Sequence, residues 1–201
     1  LKFREKNVLR KSFERKNLVY VVREAEDKKT QLIKILQAIK GSGIVYVRDR
    51  NKTAELAELL RKNGITADYY HAGLPIAERD KKQDAWQRNR IRIMVATNAF
   101  GMGIDKPDVR IVAHYDLPDS IESYYQEAGR AGRDENKAYA VLLYNKNDRL
   151  SVEKRIEANF PDIKIIKNVY NALGNYLQIP YGAGKYMAYD FDLYDFASTY
   201  R

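Results

Sequence analysis

Short, nearly unbroken apolar runs alternate with longer stretches of helical period, and this alternation limits the fold more than any other feature. The runs cover residues 18–22, 44–47, 67–70, 91–97, 109–114 and 139–144. Between them, residues 28–40 place Leu32, Ile33, Leu36 and Ile39 at helical spacing, and residues 51–63 place Leu56, Leu59 and Leu60 on one face. Gly64 stands where a helix C′ glycine belongs. Residues 75–89 read as a helix with Pro75 in its first turn, and 120–129 as a further helix. Strands joined by helices of ten or more residues are joined by crossovers, so the sheet is parallel. Continuous rather than alternating apolarity means that helices cover both of its faces. An open α/β sheet of this kind carries its working loops at the carboxyl ends of the strands. The expected functional loops therefore follow Val47, Tyr70, Thr97 and His114.

The pattern changes after Asn145. Residues 148–159 and 162–177 are helical in period, and 179–201 form a separate small element rich in Tyr, Phe and Asp. Two domains are expected, 1–150 and 151–201. Hydrophobic residues make up 45% of the 201, enough for a sizeable core and too many for wholesale disorder. Cysteine is absent, which excludes a disulfide scaffold and a thiolate zinc site within the chain. No apolar run approaches the roughly 18 residues that span a bilayer. The chain starts at Leu1 rather than Met, as a piece of a longer protein would, and an intracellular setting is expected, cytoplasmic and nucleoid-associated if the source is bacterial. The net charge of +9 points toward a polyanion, or equally toward plain solubility. Much of it lies in Lys2, Arg4, Lys6, Arg10, Lys11, Arg15 and Lys16, a solvated face or a connector.

A self-contained nucleotide hydrolase needs a phosphate-binding loop, and none is evident. The nearest string, Gly182-Ala183-Gly184-Lys185, is followed by Tyr186 instead of Ser or Thr, and no strand precedes it. Asp134-Glu135 follows a polar turn rather than an apolar strand, so it reads as surface charge rather than a magnesium motif.

Three segments carry chemistry. In residues 124–134, Tyr-Tyr-Gln-Glu-Ala-Gly-Arg-Ala-Gly-Arg-Asp, Arg130 and Arg133 are three apart, which on a helical turn puts both on one face. Gly129 and Gly132 remove bulk beside them. Guanidinium forks suit phosphate oxygens and stabilise charge that develops in phosphoryl transfer. The same string also fits a helix C-terminus with cations and glycine caps. In residues 93–107 a buried strand runs into a loop holding Thr97, Gly101, Gly103 and Asp105. There hydroxyl and backbone N–H groups can meet a phosphate, or the loop is simply a tight connection. Third, Arg48, Asp49 and Arg50 follow one strand, and His71 and Gly73 follow another just before a helix N-terminus. His114, inside an apolar strand, reads as structural.

Taken together these residues resemble the second RecA-like lobe of superfamily 2 helicases. The wording is most similar to the RecQ family: Tyr70-His71-Ala72-Gly73-Leu74, Ala99-Phe100-Gly101-Met102-Gly103-Ile104, and Ile121 to Glu127 leading into Gly129-Arg130-Ala131-Gly132-Arg133-Asp134. The resemblance covers about residues 12–150. It implies a RecA-like open parallel sheet and an ATP-dependent DNA helicase of 3′-to-5′ polarity acting in repair or recombination. It implies that Gln126, Arg130 and Arg133 meet a triphosphate across an interlobe cleft, with Arg133 favoured as the finger. Gly101, Gly103 and Asp105 would face the nucleotide. Arg48, His71, Gly73 and Thr97 would track single-stranded DNA. The implied partners are DNA at a single-strand/duplex junction and a first lobe, which would hold ATP and Mg²⁺ for the most part; the piece alone would be inactive. Many family members begin a four-cysteine zinc module after such a lobe, so either the chain stops before it or residues 151–201 are the start of a zinc-free, mainly helical replacement in that place. Other readings remain open at this point: a lobe acting on RNA, a nucleic-acid-binding module without turnover, a self-contained nucleotide enzyme, or an α/β scaffold.

Overall fold

A computed structural model describes residues 14–101, 103–180 and 182–200. The cations at Lys2, Arg4, Lys6, Arg10 and Lys11, and Met102 of the glycine loop, lie outside the described residues. The chain divides into two compact units, Leu1–Arg149 and Leu150–Arg201.

The first unit is a six-stranded parallel sheet. Its strands are β1 (Leu18–Glu24), β2 (Ser42–Tyr46), β3 (Ala67–Tyr70), β4 (Ile93–Ala96), β5 (Val109–His114) and β6 (Ala138–Tyr144). The order across the sheet is β1-β6-β5-β2-β4-β3, and every pairing is parallel. Four helices accompany them: α1 (Lys28–Ala38), α2 (Arg50–Lys62), α3 (Ile76–Gln87) and α4 (Ile121–Ala128).

Period-two geometry divides the apolar residues of each strand between two cores. Val45, Ile93, Val95, Ile111, Ala113 and Val141 point to one face, where Leu32 and Leu36 of α1 and Leu56 and Leu60 of α2 cover them. Ile44, Tyr46, Met94, Val112 and Ala140 point to the other, against Trp86 of α3 and Ala128 of α4. Trp86 is the buried residue of α3, and its Nε1 donates to the Gly43 carbonyl at 3.1 Å, so one side chain both fills and registers that contact. The helix ends follow local chemistry. Asp27, Asp49 and Ser120 cap α1, α2 and α4 through their side chains. Gly64, at φ +75°, follows the last residues of α2. Pro75 is the N-cap of α3, one position earlier than the first-turn placement that its fixed φ suggests.

One connection departs from the helical crossover that the pattern predicts. Residues 97–108 pass from the carboxyl end of β4 to the amino end of β5 without a helix, and β2 lies between those strands. Phe100 and Ile104 are buried in the second core, and Tyr46 Oη donates to the Phe100 carbonyl at 2.9 Å. Two apolar plugs thus seat a segment of irregular backbone on the sheet face that a helix would otherwise cover.

Within the second unit, α6 (Ile163–Tyr176) and α7 (Leu193–Thr199) have no buried residue. The helix α5 (Lys146–Asn159) runs across the division between the units. Tyr176, Phe191, Phe196 and Tyr200 form a ring cluster, and Tyr176 Oη donates to Asp195 at 2.6 Å. Gly182 and Gly184 sit in an irregular loop, and Lys185 lies over the Tyr186 ring at 5.1 Å, with no helix opening after them to receive a phosphate. No helix among the described residues is long and apolar enough to cross a membrane.

Candidate functional site: a two-arginine groove and a carboxyl-edge loop cluster

The connector 97–108 meets a tight turn that follows α4, and between them they enclose the first site. Gly101, Gly103, Ile104, Asp105, Gln126, Arg130 and Arg133 line an open groove of about 490 Å³. Every residue that the resemblance places at the nucleotide is therefore in one groove. One wall, Gly101 to Asp105, belongs to the loop that leaves the carboxyl end of β4, where function is expected, while the arginine turn opposite it lies elsewhere. The turn sits by the amino ends of β5 and β6, since Gly132 N donates to Val109 O at 2.8 Å and Ala138 begins β6.

The two arginines also lie beyond the helix rather than on it. The helix stops at Ala128, Gly129 is its C-cap, and residues 130–135 form turns. Both side chains still reach the connector. Arg130 donates through Nη1 to the Gly101 carbonyl, and its Nε has no hydrogen-bond partner among the described residues. Arg133 donates to Asp105 Oδ1 at 2.8 Å and to the Ile104 carbonyl at 3.3 Å. Asp105 is 80% exposed, so its carboxylate faces the groove while orienting Arg133.

The glycines serve two different ends. At Gly101, φ is +133° and a Cβ would fall inside the Arg130 guanidinium. At Gly132, φ is +63° and a Cβ would fall 2.7 Å from Asn17 Nδ2 and 2.8 Å from the Ala138 Cβ. So Gly132 leaves room for β6 and Asn17, not for a ligand beside the arginine. Arg15, read from sequence as part of a solvated or connecting run, instead brackets this turn. Its guanidinium donates to the carbonyls of Gly129, at 3.0 Å, and Gly132. Asp134 is an anchor rather than free surface charge. It pairs with Arg110 at 2.5 Å and accepts from Asn136, and these bonds hold its carboxyl down at about 2. Nothing local in the sequence signals the Arg15 contacts, which span more than a hundred residues.

A second cluster lies at the carboxyl edge. Arg48 follows β2, His71 and Gly73 follow β3, and Thr97 follows β4. Gly73 is where His71 and Arg50 converge: a Cβ there would lie 3.2 Å from His71 Nδ1 and 3.3 Å from an Arg50 guanidinium nitrogen. His71 stacks on Tyr69 at 5.9 Å. Burial first, and Arg50 second, push its pKa below the usual histidine value. Thr97 is buried, with its N–H on the Tyr70 carbonyl at 3.2 Å. Asp49 spends its carboxylate capping α2. Arg48 is tied inward: its guanidinium pairs with Asp119 and its N–H donates to Asp116 at 3.0 Å. It lines a small cavity of about 80 Å³ whose other charged walls are Asp116, Asp119 and Glu127. Three carboxylates there make a poor seat for a phosphate, so Arg48 is less available than its place after β2 suggests. Sequence reasoning passed over Asp116 and Asp119. Their place just after β5 was the available signal.

Beneath that cavity His114 is fully buried, with Nε2 2.9 Å from Glu127 Oε2 and its ring stacked on Tyr46. Burial pushes the Tyr46 phenol well up, so it stays protonated as the donor to Phe100. Among the described residues no group of three or more His, Asp or Glu is gathered to hold a metal.

A profile of the helicase conserved C-terminal domain matches residues 27–135, which takes in both clusters. The chain is 50% identical over 138 residues to the ATP-dependent DNA helicase RecQ of Pasteurella multocida, covering 68% of this chain and 22% of that protein. It is 45% identical over 170 residues to the protein of the same name from Haemophilus influenzae, covering 83% of this chain and 28% of that one. The chain thus spans about a quarter of the length of these relatives. Among solved structures, the E. coli DEAD-box protein SrmB, bound to regulator of ribonuclease activity A, superposes with a TM-score of 0.60 at 32% identity. That match covers 70% of this chain and 82% of SrmB.

Proposed function

The chain belongs to the helicase conserved C-terminal domain family, on its RecQ branch, and from that premise we propose that it is the second motor lobe of an ATP-dependent DNA helicase. The observation that carries this reading is the two-arginine groove. Arg130 and Arg133 converge there with Gln126, Asp105 and the Gly101 backbone, and no P-loop stands beside them. A lobe so equipped contributes cations to a triphosphate held elsewhere.

The residues fit such a ligand. The groove is open and two guanidinium groups border it. Arg130 and Arg133 rest on backbone carbonyls and on one exposed carboxylate, contacts that a more strongly charged phosphate can displace. ATP, with Mg²⁺ and a first lobe, supplies the phosphoryl group. This chain's part is to place fixed positive charge where negative charge develops. Arg133 is the favoured finger, because it is the more exposed of the two and is already held toward the groove by Asp105. The carboxyl-edge loops at His71, Gly73 and Thr97 form the stretch of the DNA track in this lobe. Closure and reopening of the two lobes moves that stretch along the backbone by differential affinity. Contacts to phosphate make binding salt-dependent and nearly blind to sequence. DNA is favoured over RNA because the RecQ DNA helicases are relatives at 45–50% identity, against 27% for the RNA-bound Dbp5 of S. cerevisiae.

The test is Arg133→Ala and Arg130→Ala in the full-length protein. Loss of an arginine finger costs about 10³-fold or more in kcat. The expected outcome is that loss in DNA-dependent ATP hydrolysis and in strand displacement, with single-strand DNA binding kept. Intact hydrolysis in both variants refutes the reading.

A further inference from the structure

We propose that His114 and Glu127 form a positioning couple that sets Arg130 in the nucleotide groove and ties it to the loops of the carboxyl edge. The inference rests on the arginine-groove reading above and adds two residues to it.

The contacts close a circuit. His114 Nε2 meets Glu127 Oε2 at 2.9 Å. Glu127 is on the last turn of α4, beside Gln126, and its carbonyl accepts from Arg130 N at 3.2 Å. Arg130 donates to the Gly101 carbonyl, and the preceding carbonyl, of Phe100, accepts from Tyr46 Oη at 2.9 Å. The Tyr46 ring stacks on His114 at 5.5 Å and 25°, which returns to the start. One imidazole therefore touches the strand that supports the connector and the helix that delivers the arginine.

A structural histidine in an apolar strand needs no such arrangement. His114 is fully buried, its Nδ1 has no partner among the described residues, and its ring is also packed on Tyr124 at 4.9 Å. An apolar residue of similar size would fill the space without leaving a buried nitrogen unsatisfied. The polar contact that offsets this cost is the one to Glu127. Glu127 in turn is partly open to the small cavity that Arg48, Thr97 and Asp116 also line. The couple therefore lies under the carboxyl-edge loops on one side and behind the arginine groove on the other. A shift of Thr97 on DNA binding can reach Arg130 along the connector, since Phe100 N donates to the Thr97 carbonyl at 3.0 Å, and the pair adds a second route from the cavity that Thr97 and Glu127 share; a displacement of under 1 Å at Arg130 changes how well a guanidinium meets developing charge.

The experiment uses the full-length protein and reads kcat and KM for ATP in DNA-stimulated hydrolysis, with melting temperature alongside. His114→Phe and Glu127→Ala are each expected to lower kcat by about tenfold or more while KM for ATP moves by less than about twofold, the signature of an interaction made in the transition state. Glu127→Gln keeps an oxygen acceptor for an imidazole N–H and is expected to stay within about threefold of the parent, which a charge-only role would not allow. A merely structural role lowers the melting temperature and leaves kcat per folded molecule unchanged, and that result overturns the proposal. Should His114→Phe fail to fold, Glu127→Ala, whose side chain borders the cavity, decides the matter alone. Arg130→Ala separates the two levels. If it is inactive while Glu127→Ala is fully active, the couple falls and the groove stands. If Arg130→Ala is itself fully active, the couple falls, and the groove reading falls with it only if Arg133→Ala is fully active too.

Discussion

At the scale of the residue, two neighbouring glycines of the connector make different predictions. Gly101 has φ +133°, and its missing side chain is the space that the Arg130 guanidinium occupies. Gly103 has φ +73°, and among the described residues nothing lies within 4 Å of where its Cβ would stand. Both substitutions to Ala strain the backbone, at about 1–3 kcal/mol each. Only Gly101→Ala also displaces an arginine. Melting curves should therefore shift for both full-length variants, and further for Gly101→Ala, whereas kcat for ATP per folded molecule should fall for Gly101→Ala well below that of Gly103→Ala. Equal kcat values would mean that Arg130 does not depend on that space. His71 carries a pH prediction at the same scale. Burial and Arg50 hold its pKa below the ordinary histidine value, so it is neutral at pH 7. A DNA phosphate at its side favours the cation and raises that pKa in the complex. When the bound pKa exceeds the free one, affinity rises as pH falls, in the window below the ordinary value of about 6.5. Titration of single-stranded DNA binding from pH 8 to pH 5.5 should show this rise, and His71→Ala should flatten it.

At the scale of the element, the turn after α4 is a small structure with its own anchors, and its stability is separable from the groove it serves. Arg15 grips it at Gly129 and Gly132, and Arg110 grips Asp134. The Asp134 carboxyl is held at about 2, below its unfolded value of about 3.8. A carboxyl depressed on folding stabilises above the unfolded value, and that contribution fades as pH falls through the folded one. Asp134→Asn should therefore reduce stability at neutral pH and remove part of the loss that the parent shows between about pH 4 and pH 2. Chemical denaturation across that range measures it, and identical slopes in parent and variant would show that the Arg110 pair contributes nothing. How much of these elements was legible follows from the range of the interactions. The strands could be read because burial on both faces writes itself as local apolarity, as in Ile93 to Ala96. The helices could be read because apolar residues recur on one face, as Leu56, Leu59 and Leu60 do, while the capping of the following amides by Asp49 and Ser120 emerged from the structure. The connector was read only as a glycine loop. Its course depends on Phe100 and Ile104 finding a core built from β2, β4 and β5, and on Tyr46, fifty-four residues away, donating to it. Arg15 was read as plain charge for the same reason.

At the scale of the whole molecule, the groove and the carboxyl edge belong to one rigid sheet, and that is what lets residues distant in sequence act on one ligand. The residues that the motifs group in sequence, Gly101, Gly103 and Asp105 with Gln126, Arg130 and Arg133, do line one groove. The motifs did not give away that the arginine turn sits by the amino ends of β5 and β6, where a connector without a helix comes to meet it. The two compact units differ in how they are held. In Leu1–Arg149, the central strands β2, β4 and β5 are buried on both faces under two apolar cores. In Leu150–Arg201, α6 and α7 bury no residue, and Phe160, Ile163, Ile166, Val169 and Tyr170 are exposed. Local opening costs little where few apolar contacts are broken, and approaches the global unfolding free energy in a doubly covered sheet. Amide hydrogen exchange should accordingly be slowest at residues 43–46, 93–96 and 111–114, where exchange waits for global unfolding. Residues 163–176 and 193–199 should exchange faster by several orders of magnitude, on the order of 1.4 kcal/mol of opening energy per tenfold in rate. Added nucleotide and DNA should slow exchange further at 97–108 and 129–135, the two segments that face each other across the groove, if the ligand is bound by them. Protection confined to other segments would place the ligand elsewhere and leave the arginines a structural pair.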